Sequence, residues 1–206
     1  MPLHIEDHGS ANWIEVAPAD RDALEGRIVF TGTGAQVAIG PGCVATSLRI
    51  EAGTGATVRI CAGCHLGALF IHVSPAAHVE LGANAGLNGA VRVLLHEPGR
   101  VVIGPGALIA DGVDILNSDM HPILDRRTGA RLNPAVDVDI GPRVWIGQRS
   151  MVLKGAHIGH DTIIGAGSVV TGTIPPHCIA AGNSARVVRT GARWDWTLPE
   201  PIADSV

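Results

Sequence analysis

The sequence predicts an all-β solenoid of short, stacked strands. Three observations carry that expectation: an unbroken period of six residues, a glycine-rich and aromatic-poor composition, and no segment with the pattern of a long amphipathic helix. The period is clearest near the C-terminus, where Ile140, Ile146, Val152, Ile158, Ile164 and Val170 recur without a break and Gly follows at 141, 147, 159 and 165. The same phase runs through Ile103, Ile109 and Ile115 and through Leu81, Leu87 and Val93, with weaker copies at Ile39, Ile60 and Leu66. The fifth position of each hexad is small or β-branched: Val144, Ser150, Ala156, Thr162, Ser168 and Ile174.

A helix returns its apolar face every 3.6 residues and does not produce a period of six. A short strand followed by a corner does. Two side chains per hexad then point inward, and the glycine after each aliphatic is expected to accept the corner torsions. Stacked coils would set like residues above one another in ladders. Each buried Ile or Val contributes about 1.5–3 kcal/mol. Ordering the backbone costs about 1–2 kcal/mol per residue. One hexad barely breaks even, so the stack must form cooperatively.

Composition narrows the class further. A chain of 206 residues suits one domain, at about 150 residues per domain. Aromatics are 3%, charged residues 17% and Tyr is absent, against 27 Gly, which argues against a helical bundle. Hydrophobic residues at 46% can build a core, and a net charge of −4 does not suit a non-specific nucleic-acid binder. The opening MPLHIEDHGSANW lacks a basic start followed by an apolar run, so no secretory signal is expected. No run approaches 18 apolar residues, so no membrane span is expected either, and the cytoplasm is the expected setting. Cys61 and Cys64 form a lone C-x-x-C without a second half, so no metal is expected.

The repeat is interrupted twice. Between Ile115 and Ile140 stands the polar stretch LNSDMHPILDRRTGARLNPAVDVD, and between Val93 and Ile103 LHEPGR adds four residues. A long polar excursion from a rigid scaffold is where function tends to sit. Residues 1–27 are expected to cap the first coil, 28–189 to form the solenoid with an insert at 117–138, and 190–206 to form a tail. Whether Trp194 and Trp196 of that tail pack on a coil face or on a neighbouring molecule is left open.

The hexads resemble the repeat of the left-handed β-helix acyltransferases, a family in which three hexads make an 18-residue triangular coil. The left hand and the triangle are implied by that resemblance and not by the period. The blocks NSDMHPILD, RLNPAVDVDIGPRVWIG, VLKGAHIG, IIGAGSVVT and IPPHCIAAGNSARVVR are similar to those of the sugar O-acetyltransferases, above all the polysaccharide and sialic-acid group. Ser184 departs from the Pro usual in that group. The resemblance implies transfer of an acetyl group from acetyl-CoA to a sugar hydroxyl, by a homotrimer with sites between subunits.

On that basis His121 is the expected general base, since an imidazole with pKa about 6.5 can take a hydroxyl proton near neutrality. Asp119 is expected to orient the imidazole or meet the acceptor, and Asn88 and Glu97 to meet the acceptor. Trp145 is expected beside acceptor and acetyl group, or as a plug at a corner or seam. Gln148, Ala166, Thr171 and Gly172 are expected along the pantetheine arm, and Arg186 and Arg189 at the phosphates, where guanidinium groups pair well. The insert's Asp125, Arg126, Arg127 and Arg131 suit a hydroxylated or acidic acceptor.

Other readings predict different residues. A γ-class carbonic anhydrase needs three zinc-bound His, and only His72 and His78 are near each other, six apart. A sugar N-acyltransferase usually carries an N-terminal nucleotide-binding domain, for which 1–27 is too short. A small-sugar O-acetyltransferase of the galactoside or maltose kind shares the cofactor and His121. A non-catalytic assembly solenoid leaves His121, Trp145 and the Arg pair without a common purpose.

Overall fold

The computed structural model describes residues 2–198. It is a left-handed parallel β-helix of about eight coils. One face is an eight-stranded parallel sheet made by Trp13–Val16, Gln36–Ile39, Thr57–Ile60, His78–Leu81, Arg100–Ile103, Val138–Ile140, His157–Ile158 and Thr173–Ile174. In the C-terminal coils the second face is carried by Leu108–Ile109, Trp145–Ile146, Ile163–Ile164 and Cys178–Ala181. The third is carried there by Val113–Leu116, Met151–Val152 and Val169–Val170. In the N-terminal coils the second and third faces merge. The long strand Gly86–Leu95 pairs with Leu108–Ile109 at its start and with Val113–Leu116 at its end.

The hexad aliphatics form three inner rows. On the first face Val16, Ile39, Ile60, Leu81, Ile103, Ile140, Ile158 and Ile174 stand in register, and all are buried. The second row runs Leu66, Leu87, Ile109, Ile146, Ile164, Ala180. The third runs Ile28, Ile50, Ile71, Val93, Ile115, Val152, Val170. The fifth-position residues Val144, Ser150, Ala156, Thr162 and Ser168 fill the corners and are buried. The hydroxyls among them bond to main-chain carbonyls: Ser150 and Ser168 to Gly165, and Thr162 to Pro175.

Several expectations are corrected. Ile174 is not a fifth-position residue. It pairs with Ile158 on the first-face row, because the coil that contains Thr171 and Gly172 is two residues short. Coils of 18 residues are not general: Ile39, Ile60, Leu81 and Ile103 recur every 21 or 22. The added residues feed the merged strands, which is why the period of six fades there. Within the segment expected to cap the first coil, His4–Asp7 pairs with Arg27–Phe30 and Trp13–Val16 with Gln36–Ile39.

The glycine after each aliphatic serves a different purpose from the one expected. Gly40, Gly82, Gly104, Gly141, Gly147 and Gly159 are not in the left-handed region. A Cβ on any of them would lie 2.4–2.8 Å from the main chain of the next coil. They are small so that the coils can close on one another. Left-handed torsions fall two residues later, at Gly42, Gly63, Asn84, Gly106, Arg143, Arg149, Asp161 and Gly167. Gly104→Ala is therefore expected to destabilise by about 1–3 kcal/mol through overpacking. Gly167→Asn should be nearly neutral, because Asn tolerates that conformation and Asn84 already adopts it. Thermal melting of the two variants checks the distinction.

Candidate active site

The insert begins at the corner that follows the third-face row, where Leu116, Leu153 and Thr171 succeed Ile115, Val152 and Val170. Two polar anchors tie it to the coils, and a third, within the insert, holds its own turn. Glu97, in the shorter break, receives both terminal nitrogens of Arg131 at 2.6 and 2.7 Å. It also receives the Ser118 hydroxyl. The guanidinium of Arg131, and then the Ser118 hydroxyl, hold the Glu97 carboxyl down at about 2. Lys154 donates to Asp119 Oδ2 at 2.6 Å and to the Pro134 carbonyl at 3.3 Å.

Asn133 is the third anchor and is buried. Its amide nitrogen donates to Asp119 Oδ2 at 2.7 Å and to the His121 carbonyl at 2.9 Å, and its oxygen accepts from the Ile123 N–H at 2.6 Å. One side chain thus holds the turn on both sides of His121. Met120 enters that turn with φ 63°. Lys154 first, and Asn133 second, lower the Asp119 carboxyl below its usual range. Asp119 and Glu97, expected to orient the imidazole or meet substrate, have their carboxylates engaged in holding the insert. His121 itself is exposed. The sequence reading did not single out Asn133 or Lys154, although a Lys within the small-residue hexads was a visible signal.

A groove of about 500 Å³ on the second face brings together four predicted residues: Asn88, Trp145, Gln148 and Ala166. Its floor is Leu108, Ala110, Gly147, Ile163, Ile164 and Gly165. His121 does not line it. Thr171 and Gly172 do not line it either; they share the corner from which the insert departs. Arg186 and Arg189 lie in the exposed strand Arg186–Thr190, antiparallel to Cys178–Ala181, with Arg189 opposite Ile179. One outward row therefore runs Gly86, Leu108, Trp145, Ile163, Ile179, Arg189 along the second face.

Trp194 and Trp196 of the tail pack on this same face. Trp194 is buried and donates its indole N–H to the Arg143 carbonyl at 2.6 Å. The Arg143 guanidinium lies 5.5 Å from its ring centroid. Trp194 stands 6.1 Å from Trp145 and 4.9 Å from Trp196, centroid to centroid. Residues 199–206 of the expected tail lie outside the described residues.

Residues 137–172 match the family described as bacterial transferase hexapeptide (six repeats). Those residues carry the hexapeptide repeat of that family, and the ladders above continue the same stacked-strand architecture through the described coils. Polysialic acid O-acetyltransferase of Escherichia coli O1:K1 / APEC is 34% identical over 94 residues, which are 46% of this chain and 31% of that protein. Galactoside O-acetyltransferase of Escherichia coli K12 is 41% identical over 91 residues, 43% of each chain. The chain spans less than half the length of these curated relatives. The crystal structure of the polySia specific acetyltransferase NeuO has a TM-score of 0.85 at 27% identity, covering 95% of this chain and 90% of that one. The polysialic acid O-acetyltransferase OatWY shares the fold, with a TM-score of 0.81 at 23% identity over 98% and 95% of the two chains.

Residues expected of other classes are placed elsewhere. His72 meets Glu51 at 3.2 Å and His78 meets Thr57 at 2.6 Å, so the two imidazoles do not converge. Cys64 is buried, its Sγ 3.2 Å from the Cys61 carbonyl. No helix among the described residues is long and apolar enough to cross a membrane.

The anchors make the insert testable by itself. A carboxyl whose folded pKa is depressed contributes stability above its unfolded value, about 4.3 for Glu. That contribution is lost as pH falls toward 2. Protection factors over residues 120–133, taken against the unstructured exchange rate at each pH, should thus hold at pH 5–7 and fall only below about pH 4. Glu97→Gln should reduce them already at pH 7 without lowering the melting temperature of the coils. Equal exchange in both proteins at pH 7 would remove Glu97 as an anchor.

Proposed function

We propose that the protein is an acetyl-CoA-dependent O-acetyltransferase that acetylates a sugar hydroxyl of a cell-surface polysaccharide, such as a sialic-acid polymer, or of its cytoplasmic precursor. The observation that carries the reading is the outward row on the second face. Adjacent strands lie about 4.8 Å apart, so Arg189 stands roughly 14 Å along the row from Trp145. That spacing suits a ligand with phosphates at one end and a thioester at the other. The groove beside Trp145 is largely apolar and open; at the separate Thr171–Gly172 corner nothing lies within 4 Å of where a Cβ on Gly172 would be. These residues fit coenzyme A: Arg186 and Arg189 hold phosphates, Gln148, Ala166, Thr171 and Gly172 border the arm, and Trp145 closes the acetyl end. Bound there, acetyl-CoA supplies an activated acyl group. The fold is shared with an enzyme whose structure is titled galactoside acetyltransferase in complex with coenzyme A, at TM-score 0.55 and 27% identity over 65% of this chain and 64% of that one.

His121 acts on the acceptor. A free imidazole nitrogen takes the hydroxyl proton as the oxygen attacks, and it holds that proton for the leaving group. Asn133, Asp119 and Lys154 keep the His121 turn in place. Within one chain the insert and the Thr171–Gly172 corner are apart from the Trp145 groove. A homotrimer joins the corner of one subunit to the second face of the next. The exposed apolar side chains of the insert, Met120, Ile123, Leu124, Leu132 and Val136, favour such a seam, and closed symmetry is the norm for oligomers.

His121→Ala should lower kcat by about 10²–10⁴-fold with little change in KM for acetyl-CoA. Arg189→Ala should raise KM for acetyl-CoA more than it lowers kcat, because phosphates are bound alike in ground and transition states. Near wild-type turnover in His121→Ala would place the base elsewhere, and a monomer in light scattering would end the shared-site reading. The 41% identity to a galactoside O-acetyltransferase favours a second reading with a small-sugar acceptor. Preference for a free galactoside over every oligosaccharide would select it, and alkali-stable product on amino sugars alone would defeat O-transfer.

A further inference from the structure

We propose that the second face carries an additional acceptor subsite, beyond the reacting position, that holds a neighbouring sugar unit of an oligosaccharide chain. The proposal rests on the acetyltransferase reading for the direction of the groove. It stands on three features of the N-terminal side of Trp145.

First, the groove does not end at Trp145. A second hollow of about 450 Å³ adjoins it, bordered by Thr46, His65, Gly67 and Gly89, and Asn88 lines both. The outward row continues from Leu108 through Gly86 to His65. From Trp145 to His65 is three rungs, or roughly 14 Å at the spacing of adjacent strands. That span holds more than one pyranose ring.

Second, the tail places a flat aromatic face at the junction. Trp194 is pinned by its bond to the Arg143 carbonyl, and the Arg143 Nη2 donates to the Trp194 carbonyl at 3.2 Å. The next indole, Trp196, then lies over Gly86. A Cβ on Gly86 would be 3.3 Å from Trp196 Cη2, so the missing side chain is what admits the ring. Trp196 remains 56% exposed. An exposed indole is a large apolar surface held at low entropic cost, with a polar edge.

Third, the exposed side-chain amide of Asn88, two residues beyond Gly86 on the same strand, lines both hollows. A pyranose has an apolar C–H face and a rim of hydroxyls. It can stack on the indole while the amide donates to one hydroxyl and accepts from another. No acidic residue lines the second hollow, though the Asp111 carboxylate stands beside Gly89 at its border and accepts from the Ala90 N–H at 2.7 Å. The occupant is acceptor and not cofactor, because the guanidinium groups suited to phosphates are at the opposite end of the row.

The test separates binding from turnover. Saturation-transfer NMR is recorded on the enzyme without acetyl-CoA, using oligomers of one to eight units from sialylated and neutral glycans. Steady-state KM is measured on the same series. Affinity is expected to rise from the monomer to an oligomer of two or three units and then level off. Trp196→Ala should weaken oligomer binding and raise its KM about five- to tenfold, leaving the monomer and acetyl-CoA unaffected, and Trp196→Phe should restore most of the loss. A raised KM for acetyl-CoA in Trp196→Ala would give the shelf to the cofactor and overturn the proposal. Equal binding of monomer and oligomers, no binding of any glycan, or a loss explained by a changed oligomeric state in light scattering would overturn it too. Length-dependent binding that needs Trp196, without acetyl transfer, would retain the subsite and refute the chemistry.

Discussion

Every feature of this protein depends on coils of parallel strands closing to about 4.8 Å. At that distance each main-chain N–H reaches a carbonyl in the next coil, and each inward aliphatic lies on its counterpart above and below. At several positions after an aliphatic the close approach leaves no room for a Cβ, and there Gly104 and Gly159 stand hard against the next turn of chain. Hydrophobic burial and hydrogen bonding are thus not separate contributions here. The glycines that let the coils close are the condition for both.

The outer surface inherits the same constraint. Residues in register on neighbouring coils become a straight row, whatever their separation in sequence. Gly86, Leu108, Trp145, Ile163 and Ile179 form such a row across five coils, and Arg189 extends it from an antiparallel strand. A rigid row is a suitable bed for a long, thin ligand, because its contact points cannot drift relative to one another. The insert is the opposite kind of element. Its apolar side chains are largely exposed, and its position comes from Glu97 with Arg131, Lys154 with Asp119, and Asn133. The chemistry proposed for His121 therefore hangs on polar anchors, while the ligand binding proposed for the second face rests on the ladder.

Much of this was legible in the sequence, and unevenly so. The inner rows from Ile103 to Val170 followed from the period of six alone. The earlier coils were fainter because they hold 21 or 22 residues and their merged strands replace corners. The groove residues Asn88, Trp145, Gln148 and Ala166 were named from resemblance, and they fall together in the fold. Glu97 was expected to meet the acceptor, and Asp119 to orient the imidazole or meet the acceptor; both carboxylates also anchor the insert. Asn133 was passed over because nothing in a polar loop marks which amide will be buried.

The sequence by itself determined the coil. Burial at every sixth position is a local, periodic signal, and it specifies which side chains face inward before any contact is known. Only the tertiary structure decided what faces outward together. Coil length varies from 16 residues between Ile158 and Ile174 to 23 between Val16 and Ile39, and an insert intervenes. Which outward residues meet therefore depends on the register of pairing. The position of the tail was decided in the same way: Trp196 found its place over Gly86 because stacking had already left that gap in the row.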